Sequence, residues 1–549
     1  MNARRAAIAF VAILMAGSLA VAVWYLTFRS AIDGDPAGDV PSTLTAPSTM
    51  DASTDATAST DPAGEPSAQA PEPLPSTSSS PVPIVGAAGI GDSLYPGLGN
   101  GGYDVQHYLL DLMYDPPTRF LQGVATISAL AGDPLSSFNL DLKQLEAREV
   151  LVDGAPAQFA QTEGELSVTP VTPIPAGAVF TAEVTYAGTA RPVSSAALPA
   201  SIGWFGENDG VYVMSEPDAA SSIFPANDHP LDKATFDIVI TVPAGFEAAA
   251  NGVTVGEPER LADGSVRTAF RHEFPMVPYL LAIGIGDFDI EESESAGGVP
   301  IRNYFEEDVT EGVRMAFSRQ GEMIDFYEDL FGPYPFEVYG ALVVESGTGA
   351  FAALETQTLS TFPIGIGADV YDEAIVAHEV VHQWFGNSVS LADWDDIWLN
   401  EGFATYGEWL WTAEQRAGGD LTSLVSNEYN LVSGREFLDR GTARGAVDDI
   451  LAQNFPPPGT PPAGDLFNGA VYLRGGLLLH ALRLELGDPS FFATLQAFAR
   501  EFQYGNATTA DFVAIAEREA GAELDTFFDA WLLEKAPPPI PQLGLEPPP

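Results

Sequence analysis

Two histidines four residues apart, His378 and His382, enclose a glutamate in the run His378-Glu379-Val380-Val381-His382. On an α-helix, positions four apart lie about 40° apart round the axis and about 6 Å along it, so both imidazoles project towards one point. The pair can share one metal ion. Glu379 leaves the helix towards a different side of that point, where it reaches a water bound there rather than the metal. The five residues therefore supply a ligand pair and a base. With only six His in 549 residues, chance produces this pattern in roughly one chain in a few hundred of this composition.

A catalytic zinc takes three protein ligands and leaves a fourth position to water. The chain has no Cys, which excludes thiolate ligands, disulfides and cysteine nucleophiles. The candidate third ligand is Glu401, 19 positions after His382 in Asn400-Glu401-Gly402-Phe403. Gly386, Asn387 and Ser388 read as a break between helices predicted over Asp372 to Phe385 and Trp398 to Trp411. That hairpin aims Glu401 back at the histidines. Asp395, Asp396 and Asn400 are candidates for orienting the imidazoles.

The surrounding chain must hold this hairpin. Forty-six per cent of the residues are hydrophobic, enough for more than one core, and Asp plus Glu number 76 against 23 Lys plus Arg, a formal charge of −53. Such a surface repels nucleic-acid phosphates and anionic lipid, so no nucleic-acid partner is expected. Arg4 and Arg5 precede an uncharged run, Ala6 to Phe28, long enough as a helix to cross a bilayer. Residues 1–29 are read as a cytoplasmic tip and signal-anchor that makes the protein a single-pass membrane protein with its catalytic part outside the cytoplasm. Ala20-Val21-Ala22 has the small-x-small form of a cleavage site, and secretion after cleavage is the alternative. Residues 30–90, rich in Pro, Ser, Thr and Ala, predict a disordered stalk.

Residues 91–295 carry short runs of β-branched and aromatic residues between turn signals, among them Val105 to Leu112, Ala178 to Tyr186, Thr235 to Val242 and Tyr279 to Ile285. They predict an all-β domain. From 296 to 536 the period turns helical: Arg314 to Leu330, the two motif helices, Val471 to Leu486, Thr509 to Ala520 and Leu524 to Leu533, with strands at Val338 to Glu345 and Ala352 to Leu359. A small sheet against helices bearing a zinc motif is thermolysin-like. Residues 537–549 read as a frayed Pro-rich tail.

The motif residues resemble the aminopeptidase N family of zinc peptidases over about residues 92 to 535. Beyond the zinc signature, Ala352-Ala353-Leu354-Glu355-Thr356 stands where that family has Gly-x-Met-Glu-Asn, with only Glu355 kept. Val471-Tyr472-Leu473-Arg474-Gly475 is similar to the segment bearing the family's catalytic tyrosine. Ser215-Glu216-Pro217 resembles the edge of the saddle-like β domain that lines the substrate site, and the family's carboxy-terminal domains are expected to be absent, as in a short bacterial-type member. The resemblance implies one zinc on His378, His382 and Glu401, Glu379 as base and later acid, Tyr472 as oxyanion donor, and Glu355 and Glu216 as holders of a substrate's α-amine. His229 reads as structural, and His107, His272 and His480 have no partner in sequence.

The expected activity is thus that of a zinc aminopeptidase acting on peptides with a free amino terminus, anchored through its amino-terminal helix alone. Two alternatives remain: a zinc endopeptidase or bifunctional hydrolase of the same fold, and a catalytically silent, surface-anchored binding protein.

Overall fold

The structure is a computed structural model that describes residues 82–162, 164–207, 210–346, 352–415 and 421–548. The expected anchor and all of the stalk up to residue 81 lie outside the described residues. Among those described, no helix is long and apolar enough to cross a membrane.

The amino-terminal half is built of sheets. Tyr103–Asp115 pairs antiparallel with Phe120–Ala131, which pairs with Val179–Thr189, and Ala234–Val242 lies parallel to the first of these in a 9-stranded sheet. Alternation along Tyr103–Asp115 buries Tyr108, Leu110, Leu112 and Tyr114. A bulge between Val105 and His107 shifts the parity, so Val105 also faces the core. A 4-stranded and a 5-stranded sheet complete the domain. The 5-stranded one contains Gly210–Met214, which leads directly to Glu216.

Several expected boundaries move. Phe288–Glu294 pairs antiparallel with Pro300–Glu306, which runs parallel to Ala341–Ser346, itself parallel to Ser360–Gly365. Residues 288–294, expected to lie within the β domain, are therefore the edge strand of the second domain's sheet, and the junction lies near Asp287 rather than at 295. Tyr279 to Ile285 is a strand only over Ile283–Gly286, because Pro278 has no N–H and Pro278–Leu280 forms a 3-10 turn. Ala352 to Leu359 is not a strand: Thr358 takes a φ of 66° and turns the chain into Ser360–Gly365. Order also begins before 91, since Ile84–Val85 pairs with Leu135 and Ser137. The tail is not frayed, for Ile540 is buried, its N–H donates to the Leu545 carbonyl, and Arg435 donates to the Glu546 carbonyl.

Helices fill the second domain. Those of eight residues or more are numbered α1 (Gln320–Phe331), α2 (Glu373–Val381), α3 (Trp398–Glu414), α4 (Thr422–Val432), α5 (Arg444–Asn454), α6 (Gly469–Leu486), α7 (Asp488–Glu501), α8 (Thr509–Ala520) and α9 (Asp525–Leu532). The helix expected over Arg314 to Leu330 is split, because the chain makes a short turn at Glu311–Arg314 and a 3-10 turn at Met315–Phe317 before α1 begins. Nearly all of α3 is buried, with Trp398, Phe403, Tyr406 and Trp409 at its core faces. Such a helix can be enclosed only if its neighbours come close, and glycines permit it. Gly407 lies against Val381 of α2, where a Cβ would sit 2.4 Å from Val381 Cγ2. Gly402 and Gly475 meet back to back between α3 and α6, with a Cβ on Gly475 falling 2.7 Å from Gly402 Cα.

The two domains are tied behind the motif helices by a buried ammonium. Lys233 Nζ donates to the carbonyls of Asn387, Ser388 and Gly505 at 2.8, 3.0 and 3.2 Å. Asp92 Oδ2 accepts from both His229 Nε2 and the Trp394 N–H, joining the amino-terminal segment to the turn before α3. His229 is thus structural.

Because the α3–α6 contact is backbone on backbone, Gly475→Ala is expected to cost about 1–3 kcal/mol of overpacking. It should appear as a lower denaturation midpoint; an unchanged midpoint would contradict the close approach.

Candidate zinc centre

α2 starts at Asp372, whose carboxylate accepts from the Ala374 N–H at 3.0 Å. Ile375, Val376, Ala377, Val380 and Val381 bury its apolar side, which leaves His378 and His382 facing α3. The helix ends at His382, and Gly386, with a φ of 118°, turns the chain back. A side chain there would press on the imidazole, since its Cβ would fall 3.0 Å from His382 Nδ1.

His382 Nδ1 lies 3.1 Å from the Phe385 carbonyl. A carbonyl only accepts, so Nδ1 carries the proton and the Nε2 lone pair is free. His378 is arranged the same way, with Nδ1 3.7 Å from Glu408 Oε2. Both Nε2 atoms then aim at one carboxylate oxygen: Glu401 Oε2 lies 3.5 Å from His378 Nε2 and 3.7 Å from His382 Nε2. Three donors about 2.0–2.1 Å from one tetrahedral centre sit about 3.3 Å from one another. The observed spacings are close to that value, and the two imidazoles and carboxylate fit a zinc ion.

Around this group lie the other expected residues. Glu379 is buried, its Oε2 has no hydrogen-bond partner, and it falls with Glu355 and His382 in a second set of donor atoms within 4.8 Å of one another. Burial pushes its carboxyl up to about 8; His378 pulls against this and Glu401 adds to it. Tyr472, in the first turn of α6, stacks its ring on His378 with centroids 6.1 Å apart. Burial, together with the charges of Glu401, Glu216, Glu355 and Glu379, holds its hydroxyl well above the usual phenol range, so it stays a neutral donor.

Glu355 is held by its main chain. Its carbonyl accepts from Asn387 Nδ2 at 2.7 Å, Thr358 N–H donates to Gln383 Oε1, and Asn251 of the β domain donates to the Gln357 carbonyl. The segment is clamped between the end of α2 and the β domain. Its Oε1 has no hydrogen-bond partner, and the same holds for Glu216 Oε1. Burial raises both carboxyls well above the usual range, and neighbouring carboxylates, Glu401 and Glu379 for both and Glu355 for Glu216, raise them further. The structure thus brings all seven sequence-derived site residues into one cluster at the meeting of the two domains.

Other candidates fall elsewhere. Asp396 accepts from Thr509 and Asp395 faces Asp393, so neither carboxylate orients an imidazole. Asn400 bonds to Tyr279. His107 pairs with Thr235, His272 with Glu337 and His480 with Tyr406. Two residues were missed. Glu408 could have been found, because it lies two helical turns after Glu401 on the same face of α3. Tyr279, buried among Glu216, Glu355 and Glu401, comes from a turn that no spacing connects to the motif.

A buried His/His/Glu donor set with an adjacent unpartnered glutamate, between a β domain and a helical one, defines a zinc metallopeptidase. Residues 104–280 match the Peptidase M1 N-terminal domain and residues 315–531 the Peptidase family M1 domain. The chain is 32% identical to an M1 zinc metallopeptidase from Deinococcus radiodurans of known structure, with a TM-score of 0.73 over 82% of this chain and 98% of that one. A variant of that enzyme bound to a Tyr-Ser-Ala substrate aligns equally, also at 0.73. Aminopeptidase M1 of Arabidopsis thaliana is 29% identical over 59% of this chain, and human glutamyl aminopeptidase 28% over 58%. The chain spans 37% and 33% of those two relatives' lengths. It belongs to peptidase family M1, and its cofactor is a single catalytic zinc.

Glu408 acts on the metal only through His378. Glu408→Ala is therefore expected to weaken zinc binding about 10- to 100-fold, as for other carboxylates behind a ligating histidine. Competition with a chromogenic chelator measures it, and an unchanged zinc affinity would remove Glu408 from this role.

Proposed function

We propose that the protein is an aminopeptidase, releasing the first residue of peptides that carry a free amino terminus. One observation carries this reading. Beside the three-donor metal site lie two more buried carboxylates, Glu216 and Glu355, each with an oxygen that no protein group satisfies. Buried acceptors of this kind are costly unless a donor arrives. A peptide's α-ammonium is such a donor, with three N–H groups and one positive charge.

In this reading His378, His382 and Glu401 hold the zinc, which supplies a Lewis acid for the scissile carbonyl and lowers the pKa of the attacking water. Glu355 and Glu216 fix the chain end, so that only the first peptide bond lies next to Glu379. Glu379 Oε2 accepts a proton from the attacking water and returns it to the leaving nitrogen. Its raised proton affinity suits both transfers. The Tyr472 hydroxyl donates to the oxygen that gains charge in the transition state. Gln383 and Asn387 keep the Glu355 segment against the end of α2, which holds the amine site at a constant distance from the base.

We also place the catalytic part outside the cytoplasm on an amino-terminal anchor. The support is the uncharged run Ala6 to Phe28 behind Arg4 and Arg5. Recovery of the full-length chain in the soluble fraction of cells expressing it would overturn that placement.

The full chain is expected to release single amino acids from free peptides and none from the same peptides acetylated at the amino terminus. Internal cleavage of blocked peptides would transfer it to the endopeptidases. Glu379→Gln should retain zinc while kcat falls about 10²- to 10⁴-fold, and Tyr472→Phe should lose about 3–4 kcal/mol of transition-state stabilisation, mainly in kcat. Zinc-loaded Glu379→Gln with native turnover would reject the base assignment.

A further inference from the structure

We propose that this carboxylate cluster takes a second divalent cation beside the catalytic zinc, held by carboxylate oxygens of Glu355 and Glu379 with Glu216 adjoining. Two sets of donor atoms overlap here. His378, His382 and Glu401 form one, and Glu355, Glu379 and His382 form the other, each within 4.8 Å. His382 has one free ring nitrogen, since Nδ1 is engaged by the Phe385 carbonyl, so zinc in the first set takes it. What the second set then offers is oxygen alone, a donor type that suits hard divalent ions and that zinc also accepts.

Those oxygens are ready for a ligand. Glu216 Oε1, Glu355 Oε1 and Glu379 Oε2 are all buried and all without a hydrogen-bond partner. The residues are 2, 3 and 5% exposed. Buried acceptors without a donor are costly, and a compact cation satisfies all three at once. The ion occupies the place of the substrate's α-ammonium, so cation and substrate exclude each other. Only this exclusion rests on the aminopeptidase reading; the ion site itself rests on the donor geometry.

The test uses the full chain loaded with one zinc and titrated calorimetrically with further Zn²⁺. One additional ion per chain is expected to bind, and Glu355→Gln should weaken it on the order of tenfold or more by removing a charged ligand, with the first zinc retained. The exposed group Glu517, Glu523 and Asp525 provides the control: Glu517→Gln should leave the additional ion in place. Alaninamide should compete with the ion and N-acetylalaninamide should not. If Glu355→Gln binds the additional ion as the native chain does, or if Glu517→Gln alone removes it, the proposal is overturned. Loss in Glu355→Gln without competition by alaninamide keeps the ion site and counts against the amine reading.

Discussion

The cost of burying like charges governs this structure. Glu216, Glu355, Glu379 and Glu401 lie in one buried cluster, where Glu401 raises the proton affinity of the other three. Ionised carboxylates out of water are unfavourable by several kcal/mol each unless cations meet them. A bound metal, and under the proposed function the cationic end of a peptide, supply that compensation from outside the chain. The fold's task is to hold the acids together until those ligands arrive. It does so with elements that have little freedom to relax, chiefly α3, enclosed along almost its whole length, and α2 packed against it.

That rigidity has a local chemical origin. Glycines at 402, 407 and 475 let backbones approach where side chains would separate them. The histidine rings are fixed at their far nitrogens, one by a main-chain carbonyl and one by Glu408. The metal site is therefore shaped by hydrogen bonds and packing that lie behind it, on residues that never face substrate.

How much of this the sequence disclosed depends on whether a residue's position follows from local geometry. His378, Glu379 and His382 were legible because one helix sets their relation, and Glu401 because a short hairpin returns it. Glu408 obeys an equally simple helical spacing, but abundant acidic residues hid it. Glu355, Glu216 and Tyr472 were reached only by resemblance, since their approach depends on how a β edge, a turn and α6 assemble. Tyr279 had no such cue. The domain boundary was set at 295 rather than near Asp287 because sequence does not show which sheet a strand such as Phe288–Glu294 joins. Thr358 broke an expected strand by a backbone angle that its residue type does not announce.

Lys233 gives the interdomain contact a metrical meaning. Glu216 belongs to the β domain and Glu401 to the helical one, so the span between them is set by how the domains dock. Three carbonyls gripped by one buried ammonium keep that docking from sliding. Under the proposed function the span is a ruler one amino acid long, and Lys233 is the rivet that keeps it calibrated.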